Sequence, residues 1–232
     1  MDSIRRQARG VGLLYLLAAI TAPFGLLYVP GALIVPGDAT ATANHVRASA
    51  TLLRLGIADE LIVSILFSFL VLALYRLLKG VDGRHALAMV ALFLISVPIS
   101  CLNVLNDIAA LILVSGASFL SVFEKGQLDA LAYLFLRLHG QGVLVASIFW
   151  GLWLFPFGIL VIRSGFIPRV LGVLLIMAGI GYVVGSFTSL LLPQHARLVS
   201  QPAMVLEFGE LPIVFWLLIR GARARPSAAP AS

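Results

Sequence analysis

One cysteine in 232 residues leaves no partner for an internal disulfide and no second thiol for a Cys-x-x-Cys metal or redox motif. Cys101 lies inside an apolar run and reads as a small core residue. Charge is scarce as well: 11% of the residues are Asp, Glu, Lys or Arg, less than half the share, roughly a quarter, of an ordinary soluble domain. That scarcity excludes a soluble globular domain of useful size. No two of the histidines, His45, His85, His139 and His195, stand four apart as a helical metal pair does. Gly-x-Ser-x-Gly, Walker and Gly-rich phosphate motifs are missing from any strand–turn–helix context, and Gly10-Val11-Gly12 has no preceding strand. Period-two alternation is missing too, which excludes a lipid-facing barrel.

What remains is apolar: 61% of the chain, with a mean hydropathy of +1.07. Continuous apolar runs of about 20 residues are the length a helix needs to cross a bilayer, and only helices or closed barrels satisfy their backbones in lipid. Six such runs span about Val11–Val29, Leu52–Leu78, Ala86–Val114, Leu131–Ile162, Val170–Leu192 and Ala203–Ile219. The expected fold is an all-α polytopic membrane bundle with six transmembrane helices. Residues 1–220 form one transmembrane domain, and 221–232, rich in Pro, Ala and Ser, form a disordered cytoplasmic tail. The first run is long, contains Pro23 and lacks a small-x-small exit, so it reads as a retained helix rather than a cleaved leader. Pro36-Gly37-Asp38 and the small residues after it read as an outer loop or a short surface helix.

The basic balance, +6 with a pI near 10.1, would suit nucleic acid if it formed a patch. Its placement excludes that partner. Eleven basic residues fall on one side: Arg5, Arg6 and Arg9, then Arg76, Lys79 and Arg84, then Arg163 and Arg169, then Arg220, Arg223 and Arg225. The other five, Arg47, Arg54, Lys125, Arg137 and Arg197, fall opposite. Positive charge stays in the cytoplasm, so both termini are expected inside a cytoplasmic (inner) membrane.

Against this background five carboxylates inside or at the edge of the runs stand out: Asp59, Glu60, Asp107, Glu207 and Glu210. A charge in hydrocarbon costs several kcal/mol, so each is expected to face a partner, a water-filled cavity or a substrate path. Helical spacing places Ser96, Ser100, Asn103 and Asp107 on one stripe and Glu60, Ser64 and Ser68 on another. Glu207 and Glu210 share a face, with Pro212 loosening the turn beside them. Arg137, Gln141 and His139 cluster near an outer helix end. At 1.5 Å per residue, Glu210 comes out about 15 Å from Arg220, near the midplane, and Glu60 about 24 Å from Arg76. The candidate ligand- or cation-binding residues are therefore Asp59, Glu60, Asn103, Asp107, His139, Glu207 and Glu210, with Arg54 and Arg137 as counter-charges. Five carboxylates exceed two arginines, so either a cation balances the excess or some carboxylates hold protons.

Two other classes are weighed against that site. A zinc site could join His45, His139 and His195 with a carboxylate across loops and helices, but no spacing requires it. No metal ligand and no cofactor is assigned. Gly181 and Gly185 form a Gly-x-x-x-Gly on the fifth span, which serves internal packing or a homodimer face.

The segment Phe149-Trp150-Gly151-Leu152-Trp153-Leu154-Phe155-Pro156-Phe157-Gly158, leading into Arg163-Ser164-Gly165-Phe166-Ile167-Pro168, Leu171-Gly172, Gly179 and Gly181-Tyr182, resembles the bacterial multi-pass membrane family called domain of unknown function 4386. Arg54-Leu55-Gly56, Leu74-Tyr75, Asn103, His139, Glu210 and Trp216 fit the same pattern. The resemblance covers almost the whole chain. It implies an integral membrane protein, usually of the cytoplasmic membrane, and transfers no catalytic role. The expected function is an outward-facing polar cavity that binds or passes a small cation, proton or amphiphile. The alternatives are an intramembrane enzyme, such as a metal-dependent lipid hydrolase, and an accessory subunit without chemistry. The bilayer is the expected partner in each.

Overall fold

A computed structural model describes residues 2–221, with side chains over 6–221. Arg223, Arg225 and all but the first residue of the expected tail lie outside the described residues. Ten α-helices follow one another, joined by turns, one π-helical turn and three short 3₁₀ turns, and no strand occurs among the described residues. They are α1 (Asp2–Pro23), α2 (Val29–Leu33), α3 (Ala39–Ala48), α4 (Ala50–Leu78), α5 (Gly83–Leu113), α6 (Lys125–Leu152), α7 (Leu154–Ser164), α8 (Arg169–Leu191), α9 (Ala196–Glu207) and α10 (Leu211–Ile219). They assemble six segments long and apolar enough to cross a membrane: Arg6–Leu33, Ala50–Leu78, Gly83–Leu113, Lys125–Ser164, Arg169–Leu191 and Pro193–Ile219. The expected six spans are all present, and the first, fourth and sixth are longer than hydropathy marks them.

Proline sets several of the breaks. Pro156 has no N–H and its ring collides with the carbonyl four residues back, Leu152, which is where α6 stops. Pro212 stands at the start of α10, immediately after a 3₁₀ turn at Phe208–Glu210. Pro23 is followed by a π-helical turn, Phe24–Tyr28, so the first span continues unwound into α2.

The described residues fall into two compact units. The first takes those within Met1–Leu17, Phe67–Ile95 and Ser147–Ser232. Its centre is aromatic: Phe93 meets Trp153 edge-on at 5.3 Å, Trp153 stacks on Phe157 at 5.3 Å, and Tyr15 meets Phe67 at 5.9 Å. Here α7 and the end of α6 approach α8 at backbone level. A methyl on Gly158 would lie 2.6 Å from the carbonyl oxygen of Gly172, and one on Gly151 would lie 2.8 Å from that of Gly179. The opposite side of α8 receives α9 in the same way, since a methyl on Gly181 would lie 2.7 Å from the carbonyl oxygen of Ala203, and one on Gly185 3.1 Å from the Ala203 side chain. The Gly-x-x-x-Gly stripe is thus filled by the chain itself. Gly165, at φ 71°, ends α7 in the left-handed conformation that glycine adopts without strain. Beside it Arg163 pairs with Asp82 at 2.9 Å, and the Asp82 carboxylate caps α5 by accepting the backbone N–H groups of Arg84 and His85.

The second unit takes Ala18–Leu66 and Ser96–Ala146. Its apolar core joins Val29, Leu33, Val46, Leu53, Ala110, Ala132 and Leu136. The expected surface helix after Pro36-Gly37-Asp38 is α3. Asp38 caps it by accepting the Ala41 N–H at 2.8 Å, and Thr42, Ala43 and Val46 are buried.

A histidine between two carboxylates

Three helices of the second unit each contribute one side chain to a point on a cavity wall. Glu60 comes from α4, Asp107 from α5 and His139 from α6. His139 Nε2 lies 3.2 Å from Glu60 Oε1, and His139 Nδ1 lies 3.1 Å from Asp107 Oδ2. Their side chains are 11%, 7% and 12% exposed. Nδ1 is close to Asp107 but badly angled towards it, and it is buried with no hydrogen-bond partner. One donor atom from each of the three residues lies within 4.8 Å of the others.

Local sequence explains the assembly. Asn103 and Asp107, one helical turn apart, are both buried, so the polar stripe of α5 faces protein. Asn103 Nδ2 donates to the His139 carbonyl at 2.9 Å, and Asn106 Nδ2 donates to Asn103 Oδ1 at 3.0 Å. This hold needs Gly142, one turn after His139, because the Asn103 side chain occupies the place a methyl would take there.

The cavity has a volume of about 200 Å³. Glu60, Asp107 and His139 line it together with apolar side chains and glycines, among them Val29, Leu33 and Leu136. The π-helical turn supplies another part of the wall through Gly25 and Leu26. Asp59 does not reach the histidine in any hydrogen bond or ion pair. It accepts the Gly25 N–H at 3.1 Å and fixes the unwound turn against α4.

The remaining candidates lie elsewhere. Glu207 and Glu210 belong to the first unit, where Glu210 accepts the Tyr15 hydroxyl. Arg54 and Arg137 are exposed, and neither pairs with a carboxylate among the described residues. Their long stems carry the charge out of the interior. The basic residues that do pair in the second unit are Arg47 and Lys125, both on buried Asp129, with Lys125 Nζ at 2.8 Å. Sequence reasoning passed over Asp129, although its distance of four from Lys125 is an ion-pair spacing. It passed over Tyr15 and Gly142 as well, since a tyrosine or a glycine in an apolar helix has many uses. His45 and His195 do not join the Glu60, Asp107 and His139 cluster.

The fold and this cluster define an all-helical integral membrane protein with an acidic, histidine-containing cavity. The chain belongs to the family described as Domain of unknown function (DUF4386), whose model matches residues 11–221. Over 76 residues, 33% of the chain, it is 36% identical to an uncharacterized protein of Archaeoglobus fulgidus. That stretch spans 44% of the relative's length. No solved structure matches the chain.

Proposed function

We propose that the cavity of the second unit binds a small cation, held by Glu60, Asp107 and His139, in a protein of the cytoplasmic membrane with both termini inside. The observation that carries this is the mostly buried histidine with a carboxylate on each ring nitrogen. With both carboxylates ionised, even a charged imidazole leaves a negative charge uncompensated, and no lysine or arginine pairs with Glu60 or Asp107 among the described residues. An unpaired buried charge is strongly destabilising, whereas one balanced by a partner is tolerated. The cavity is where that balance enters. Its apolar walls also accept the organic part of an alkylammonium ion, which makes a cationic amphiphile a member of the same class.

Melting temperature of the detergent-purified chain, measured with alkali, divalent and alkylammonium cations in turn, tests the reading. A ligand present at about 100 times its Kd adds about 2.7 kcal/mol, a rise of about 5–10 °C for a chain of this size. At least one cation class should give that rise, and Glu60→Gln and Asp107→Asn should each reduce it. A panel in which no cation moves the wild type contradicts the proposal.

A further inference from the structure

We infer that Glu60, Asp107 and His139 form a site for a divalent first-row transition metal of the zinc or manganese kind, with its open coordination position towards the cavity. The inference rests on the cation-binding reading and names the cation.

The donor set comes first. An imidazole and a carboxylate as ligands, with a second carboxylate supporting the ring, suit zinc and manganese and leave coordination open towards the cavity. All three donors are on rigid helices rather than loops. Distance comes second. Metal–nitrogen and metal–oxygen bonds of about 2.0–2.2 Å at a tetrahedral centre place neighbouring donors about 3.3 Å apart. The contact between Nδ1 and Asp107, 3.1 Å, matches that edge, while Glu60 meets the other ring nitrogen, Nε2, at 3.2 Å. A donor atom of Glu60 lies within 4.8 Å of those of His139 and Asp107, which keeps all three residues around one point.

The unpartnered nitrogen comes third. If the Nε2–H group is directed to Glu60, Nδ1 carries a lone pair. That lone pair stands 3.1 Å from a carboxylate oxygen with no hydrogen bond to reconcile them. Two electron-rich atoms so close are reconciled by a positive centre between them, a proton or a metal ion. A metal on Nδ1 and Asp107 supplies it, while Glu60, on Nε2, fixes the tautomer and the ring. A carboxylate on the far nitrogen is the usual support of a metal-bound histidine. Asn103 holds the backbone of His139, and so the ring, from the other side.

The test uses the full chain, purified in detergent, stripped with a chelator, reloaded with zinc and dialysed. Elemental analysis should find about one zinc per chain in the wild type and less than a tenth of that in His139→Ala. Glu60→Gln and Asp107→Asn should each weaken binding at least 10-fold, in line with the loss of a ligand or its support. Glu210→Gln, in the other unit, should bind normally. Should His139→Ala fail to fold, cobalt loading of the wild type replaces it: tetrahedral or five-coordinate cobalt absorbs strongly in the visible, and Asp107→Asn should abolish that band. Zinc absent from the wild type while an alkylammonium or alkali cation binds through Glu60 and Asp107 overturns the metal and leaves the cation reading standing. No binding of any cation overturns both. Zinc retained at full stoichiometry in every variant overturns the site.

Discussion

Asn103 shows how much a single buried side chain does when its partners are fixed. Its amide bridges α5 to the carbonyl of His139 while accepting from Asn106. Asn103→Ala removes a buried bond and leaves the Asn106 amide short of a partner, for about 1–3 kcal/mol. It should lower the melting temperature and weaken cation binding together, because the ring of His139 loses its support. Gly142→Ala should be as harmful for the opposite reason, since the added methyl competes with the Asn103 side chain for one place; overpacking of this kind costs about 1–3 kcal/mol. Both variants are checked by thermal melting and by cation titration. Helical spacing is enough to put Asn103 and Asp107 on one face and to mark Glu60 and His139 as costly residues. Spacing within a helix cannot say which faces of different helices meet. That is why Glu60, Asp107 and His139 stand among seven candidates in the sequence and as one cluster in the structure.

At the level of the element, glycine and proline set the geometry. α7 and α8 touch through Gly158 and Gly172, and a side chain there must displace backbone. Gly158→Ala should therefore lower stability by about 1–3 kcal/mol. Gly126→Ala, in α6 with nothing within 4 Å of the added methyl, should be neutral or stabilising by up to about 1 kcal/mol through helix propensity. Comparing their melting temperatures isolates the close approach from any general effect of losing glycine. The cores of the six spans are legible because apolar length is a direct physical requirement of the bilayer. Their ends are not. α9 contains Arg197, Ser200 and Gln201, and hydropathy alone starts the sixth span only at Ala203. The first span passes Pro23 and Pro30 to reach Leu33, because the π-helical turn absorbs the missing donors and Asp59 takes the Gly25 N–H. The break at Leu152 needs the clash of Pro156 to be felt inside one long apolar run.

For the molecule as a whole, the proposed orientation rests on charge. Eleven of the 16 basic residues belong to one set of loops and termini. Reporter fusions at the C-terminus and near Ser121 check it: a periplasmic reporter should be active near Ser121 and silent at the C-terminus. The loop before α5 gives a pH dependence of known sign. The backbone N–H of His85, with further help from the His85 side chain and the Arg84 N–H, holds the Asp82 carboxyl below its ordinary range. A depressed carboxyl contributes stability that is complete above the unfolded value and lost as pH falls through the native one. Asp82→Asn should thus melt below the wild type near neutral pH, and the two curves should converge in acid below the ordinary carboxylate range. A gap that is constant with pH would show that the charge of Asp82 contributes nothing.

The central claim is that the second unit carries buried negative charge awaiting a cation. The most direct measurement is the melting temperature of a Glu60→Gln, Asp107→Asn double variant against the wild type, each with and without the cation that the wild type binds. In cation-free buffer the double variant should be at least as stable as the wild type, because the amides keep the shape and remove the repulsion. On adding the cation, the wild type should rise by about 5 °C or more while the variant stays where it is. A variant that melts well below the wild type in cation-free buffer, beside a wild type that no cation moves, would contradict the account and make the histidine and its two carboxylates a self-sufficient structural cluster.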